Sequence, residues 1–250
     1  MAEASTWTPE SLEVLTEDDQ WVVIDKPSGL LVHPGWAKER PTALHLVRDR
    51  VGCHVYPAHR LDRATSGVLV FAKSPESASA LGQAFAGGKV KKRYLALVRG
   101  EPAEQLIDNP LPRGEDKAGP RVAARTYVRR LASVTLTVAL AGYPVRYSLV
   151  EALPETGRLH QIRRHLKHAG HPILGDVRYG KGDHNRLCRE HFGLHRLALH
   201  AADLWLPHPR TRETTHFLAG LPSDLREPLE AMGFEATAIP QGKDPRASGS

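Results

Sequence analysis

The chain has 250 residues, 41% of them hydrophobic and 25% charged, with 34 Lys+Arg against 28 Asp+Glu for a formal net charge of +6. That length buries a substantial core as one large domain or two small ones, and the composition is that of an ordinary globular protein. The two cysteines, Cys53 and Cys188, form no C-x-x-C pair and exclude a disulfide framework, and no apolar run approaches the roughly 18 residues of a membrane span. Met1 to Ser5 lacks the basic-then-apolar pattern of a secretory signal, so a cytoplasmic location is expected. The basic balance points to a polyanionic partner.

Residues 1–10 are polar and expected to fray, 11–236 to form the folded domain, and the Gly- and Ser-containing tail 237–250 to be disordered. Leu12–Leu15 and Trp21–Ile24 read as short strands around the Glu17–Gln20 turn. Asp25-Lys26-Pro27-Ser28-Gly29 is an irregular turn, and Thr42 caps a helix from Ala43 to Val51 with Leu44, Val47 and Val51 at helical spacing. Val68–Ala72 is a strand. Ser74-Pro75 opens a helix that Gly87-Gly88 closes, with Ala78, Leu81 and Phe85 on one face. A basic cluster, Lys89 to Arg93, runs into the strand Tyr94–Val98; the Pro- and Gly-rich stretch Glu101–Pro120 reads as a surface loop. Val122–Val138 and Val145–Leu153 read as longer strands, and strand-like pieces return at Ala198–His200, Leu204–Leu206 and Thr215–Phe217. Short strands with interspersed helices give an α+β fold with a largely antiparallel sheet.

Two stretches carry chemistry. Ala58-His59-Arg60-Leu61-Asp62-Arg63-Ala64-Thr65-Ser66-Gly67 places one acid between two arginines, directly before a strand. The flanking guanidiniums favour the ionised carboxylate, the form that a nucleophile or general base needs; a solvated Arg-Asp-Arg turn would look the same in this segment alone. In Thr156–Leu166, Leu159, Ile162, Leu166 and Ala169 form one apolar stripe at about 100° per residue, flanked by Arg158 and Arg163. Arg163 falls at the core boundary, where a guanidinium needs an anion. Other patterns are weaker. Gly175–Lys181 matches most of a P-loop but is followed by Gly182 instead of a hydroxyl residue. His184, Cys188 and His191 share helical spacing without a second ligand cluster for zinc. A glycosidase needs two cooperating carboxylates, and Asp62 is the one good candidate.

Asp25–Gly29, His59–Gly67, Lys92-Arg93-Tyr94 and Gly157–Arg163, in this order and spacing, resemble the RluA family of pseudouridine synthases over roughly residues 12 to 218. The resemblance implies a mixed, bisected sheet and an RNA substrate, most strongly uridine 65 in the T stem of tRNA. It implies no nucleotide or metal cofactor, because isomerising uridine involves neither redox change nor phosphate transfer, and it implies no obligatory protein partner; a monomer is the default. It carries the catalytic role to Asp62, whether by attack on C1′, addition to C6 or removal of a sugar proton. Arg163 is then the arginine paired with that acid, and Tyr94 the tyrosine stacked on the flipped uracil. Arg60 occupies the position that the base vacates, offsetting part of the few kcal/mol that flipping costs. Ile162 lines the apolar pocket wall, while His59, Thr65, Arg158, His160 and Lys92 stand with the substrate. Lys89, Lys91, Lys92, Arg93, Arg164, Lys167 and Arg196 are candidates for phosphate contacts. The same chemistry on a ribosomal RNA stem-loop, or an RNA-binding or chaperone role with dispensable catalysis, fits the sequence as an alternative.

Overall fold

A computed structural model of the chain describes residues 7–34, 41–114, 119–140 and 142–235; the tail 237–250 and most of the N-terminal segment lie outside these. In chain order, a 3-10 turn at Pro9–Ser11 leads into β1 (Glu13–Glu17), β2 (Trp21–Lys26), α1 (Ala43–Val51), β3 (Tyr56–Pro57), β4 (Ser66–Ala72) and α2 (Pro75–Ala86). There follow β5 (Lys91–Arg99), β6 (Gln105–Asp108), β7 (Leu111–Pro112), β8 (Arg121–Val122), β9 (Arg125–Leu140) and β10 (Tyr143–Pro154). The chain continues through α3 (Gln161–His168), α4 (Gly182–Phe192), β11 (Leu199–Pro207), β12 (Thr214–Leu218) and α5 (Ser223–Ala231). The class is α+β, as the patterning predicts. Internal contacts divide the chain into two compact units, Met1–Lys92 with Leu204–Gly220 and Arg93–Asp203 with Leu221–Ser250. Among the described residues no helix is long and apolar enough to cross a membrane.

In the first unit β2 lies between β1 and β4, both antiparallel to it, with Trp21 opposite Ala72 and Asp25 opposite Val68. Every residue of β4 is buried, as its uninterrupted apolar run requires of a strand covered on both faces. Trp21, Val23, Val68, Val70 and Ala72, alternate residues on one face, pack with Leu81 of α2 and Phe217 of β12. The Ser74 hydroxyl accepts the Ser77 N–H at 3.1 Å, with Pro75 at the first helical position and Gly87 at the end, as the capping pattern predicts for α2. On α1 the buried face is Ala43, Leu46 and Val47, rotated from the expected Leu44–Val47–Val51 stripe. The carbonyls of Leu31 and Val32 accept the N–H groups of Ala43 and Leu44 and so fix how the first turn docks.

The second unit is an antiparallel meander in the order β5-β10-β9-β6, with Tyr94 opposite Ala152 and Leu106 opposite Tyr127. The stretch expected to loop from Glu101 to Pro120 instead holds β6 and β7, the latter paired with β8, and buries Ile107 and Leu111. The strand-like pieces read at Ala198–His200 and Leu204–Leu206 merge into one strand, β11, which starts at Leu199, one residue after the expected start, and also buries Ala201, Ala202 and Asp203. Asp203 is buried as the partner of Arg93, whose Nε and Nη2 lie 2.6 and 2.5 Å from its Oδ2. Helix α5, which buries Leu225 and Leu229, has no counterpart in the sequence reading.

Candidate active site

The loop bearing Asp62 is built by a buried lysine. Lys26 ends β2 with no exposed surface, and its ammonium donates to the carbonyls of Pro27 and Leu30 at 2.8 Å and of Arg63 at 3.2 Å. A buried charge is tolerable only when hydrogen-bonded, and here the acceptors come from both the Asp25–Gly29 turn and the decapeptide. Three more bonds join them: Gly29 N–H to the Arg63 carbonyl at 2.8 Å, Arg63 Nε to the Gly29 carbonyl at 2.9 Å, and Ser28 Oγ to the Ala64 carbonyl at 2.9 Å. Asp62 sits half-buried at the head of a turn closed by Thr65 N–H on its own carbonyl at 3.0 Å. Such lacing fixes the backbone around Asp62.

The neighbours divide by role. Arg60 is exposed, with Nη1 3.2 Å from His33 Nε2. His59 faces the fold: its Nε2 accepts the Val70 N–H at 3.3 Å, and its ring lies tilted 5.1 Å from Phe85. Burial, helped by the Lys92 ammonium, pushes the His59 pKa down to about 3, so the ring is neutral and carries its proton on Nδ1. His59 thus anchors the loop to β4. The Thr65 hydroxyl, 2% exposed as a residue, has no hydrogen-bond partner, an unusual state for a buried polar atom beside the candidate acid.

Tyr94, Arg158, His160, Ile162 and Arg163 stand in the second unit. Tyr94 is half-buried on β5. Helix α3 begins at Gln161, three residues later than a helix containing Arg158 would. The Arg158 N–H is bound by the Gln161 side chain at 3.0 Å, and His160 takes a left-handed φ of 53°, so residues 158–160 form a turn. Arg158 is exposed and donates Nε to the Ala123 carbonyl at 3.1 Å. Gln161 is a site-building residue that the sequence reading passed over: its amide also donates to the Arg125 carbonyl at 2.9 Å and to Thr126 Oγ1 at 3.0 Å, and it accepts from Thr156 Oγ1 at 2.6 Å. Ile162 is buried.

Arg163 has the anion that its place on the helix predicts, and that anion is Asp176. The pair is bidentate, Nε to Oδ2 at 2.7 Å and Nη2 to Oδ1 at 3.0 Å, with Asp176 2% exposed. Asp176 Oδ1 also accepts the N–H groups of Arg178 and Tyr179, each at 2.9 Å. Burial works to raise the Asp176 pKa, but the bonds from Arg163 and Tyr179 outweigh it and hold the carboxyl below its ordinary value. Two of the expected phosphate ligands are otherwise engaged: Arg93 is the buried partner of Asp203, and Arg196 binds the Leu197 and Leu199 carbonyls and Asp224. On α4, His184 Nδ1 meets the buried Tyr147 hydroxyl at 2.9 Å, and burial pushes the Cys188 thiol up to about 11. Among the described residues no group of three or more His, Cys, Asp or Glu is placed to hold a metal ion.

The α+β scaffold thus carries an arginine-flanked aspartate in its first unit and a basic second unit. The chain belongs to the RNA pseudouridylate synthase family, whose model matches residues 20–168, a span that includes the decapeptide, Tyr94 and Arg163. It is an isomerase that converts uridine to pseudouridine. It is 42% identical over 240 residues to tRNA pseudouridine synthase C of Vibrio cholerae, covering 91% of this chain and 98% of that protein. Against tRNA pseudouridine synthase C of Pasteurella multocida it is 40% identical over 242 residues, covering 92% and 99%. Among solved structures it resembles human RNA pseudouridylate synthase domain containing 1, with a TM-score of 0.69, 27% identity and 88% of each chain covered.

Proposed function

We propose that this chain is a tRNA pseudouridine synthase that acts on uridine 65 of the T stem with Asp62 as the catalytic carboxylate. The observation that carries the reading is agreement over nearly the whole length with relatives named tRNA pseudouridine synthase C. The local geometry supports it: Asp62 stands on a loop immobilised by the Lys26 ammonium, with Arg60 exposed beside it. The reaction breaks the N1–C1′ bond, turns the uracil and joins C5 to C1′; C5 loses a proton and N1 gains one, so no external reagent enters. Arg60 takes the place of the flipped base, Tyr94 stacks on the uracil, and Arg163 supports the charge of the acid. Thr65, with its unsatisfied hydroxyl, offers a hydrogen bond to the bound nucleotide. Lys92, His160, Arg158 and Ile162 complete the substrate contacts.

The test is to incubate the protein with an unmodified tRNA transcript and with total RNA lacking this modification, then map pseudouridine. Pseudouridine at position 65 of the transcript is expected. Product confined to a ribosomal RNA stem-loop would overturn the tRNA assignment, and a bound but unmodified transcript would overturn its role as substrate.

A further inference from the structure

The loop Gly175-Asp176-Val177-Arg178-Tyr179-Gly180 lies beyond the residues that the family model matches, and its P-loop-like spelling has no role in the reading above. It is held rigidly. Asn185 accepts the Gly175 N–H at 2.9 Å and donates to the Asp176 carbonyl at 3.0 Å, which also takes the Gly180 N–H at 3.0 Å. A Cβ at Gly175 would meet the Arg196 carbonyl oxygen at 1.8 Å, and one at Gly180 the Asp176 carbonyl oxygen at 2.2 Å, so neither position admits a side chain. This construction holds up an exposed Arg178 and a Val177 that is 97% exposed.

Under that knuckle, Tyr179 gathers cations. Its hydroxyl accepts Arg164 Nε at 3.1 Å and lies 3.1 Å from His160 Nδ1. Its ring has the Arg163 guanidinium at 5.1 Å, the Arg178 guanidinium at 5.7 Å and the Lys167 ammonium at 5.9 Å from its centre. Residues 156–182 contain six Lys or Arg (Arg158, Arg163, Arg164, Lys167, Arg178 and Lys181) and one acid, Asp176. Arg163 already neutralises that acid. Positive charges converging on one ring within about 6 Å create a potential that a polyanion relieves.

We propose that this knuckle is a backbone contact for the RNA substrate, in which Arg178 and Lys167 each take a phosphate and the Tyr179 ring aligns them. The contact deepens the reading above and rests on its RNA substrate. Phosphate contacts fix the register of an RNA without reading its sequence, so the knuckle positions the RNA and does not act on the target base.

Arg178 and Lys167 are both exposed, so Arg178→Ala, Lys167→Ala and the double variant keep the fold. Binding of an unmodified tRNA transcript to the full-length protein, titrated with salt, reads the number of phosphate contacts. Each single variant should lower the slope of log K against log salt by roughly 0.7–0.9, and the double variant by about twice that. Arg178→Lys, which keeps the charge, should retain the slope, as should Arg186→Ala on α4, a control whose arginine faces Asp183. A double variant with wild-type slope and affinity overturns the contact. Pseudouridine is scored in the same samples: wild-type protein that makes none overturns the catalytic reading, while the slope still decides the contact.

Discussion

The two polar loops, one in each unit, are organised by opposite charges, and the difference separates their carboxylates. In the loop of residues 59–67 a buried cation, Lys26, gathers backbone carbonyls from the turn before it and from the loop itself. In the loop of residues 175–180 the carboxylate is itself the organiser: Asp176 receives two guanidinium nitrogens and two backbone N–H groups. A carboxylate with four donors on it and a lowered pKa is a poor base and a poor nucleophile. Sequence alone shows two aspartates beside arginines; the wiring of Asp176 gives it a structural task, which fits the proposal that Asp62 is the residue that acts.

Two substitutions probe this contrast. Asp176→Asn should have the largest effect on stability, because it removes the buried carboxylate charge that Arg163 binds through two nitrogens. We expect a loss of about 3–5 kcal/mol, a Tm lower by roughly 10 °C in a thermal melt. The same variant should flatten the acid limb of the stability curve: a carboxyl with a depressed folded pKa stabilises above its ordinary value of 3.8 and loses that contribution as pH falls below it. Lys26→Met should cost less, about 3 kcal/mol in a urea titration, since the apolar replacement sheds the cost of burying a charge while leaving carbonyls without donors. It should nonetheless slow pseudouridine formation more than Tm predicts, because Asp62 loses its fixed position. A Lys26→Met protein with wild-type turnover would break the contrast between the two loops.

Much of this was legible from the residues. The strands β2, β4, β9 and β10 follow from apolar runs, and α2 from its Ser-Pro start and Gly-Gly end. The demand of Arg163 for an anion followed from its helical position. Its answer did not, since Asp176 lies in a stretch whose spelling suggests a phosphate loop. The short strands β6, β7 and β8 hide in text rich in Pro and Gly, because pairing with β9 and with each other, not local propensity, creates them. The burial of Arg93 depends on Asp203, 110 residues away, and no local pattern signals it. Lys26 stands inside a recognisable motif, but the carbonyls that converge on its ammonium, one of them from Arg63, cannot be read from that motif.

The most direct test of the account is the rate of pseudouridine formation by Asp62→Asn, measured with transcript binding in the same preparation. The account predicts a fall of at least about 10³-fold in the rate, with affinity for the tRNA transcript unchanged. Pseudouridine formed at the wild-type rate by the folded Asp62→Asn protein would contradict it.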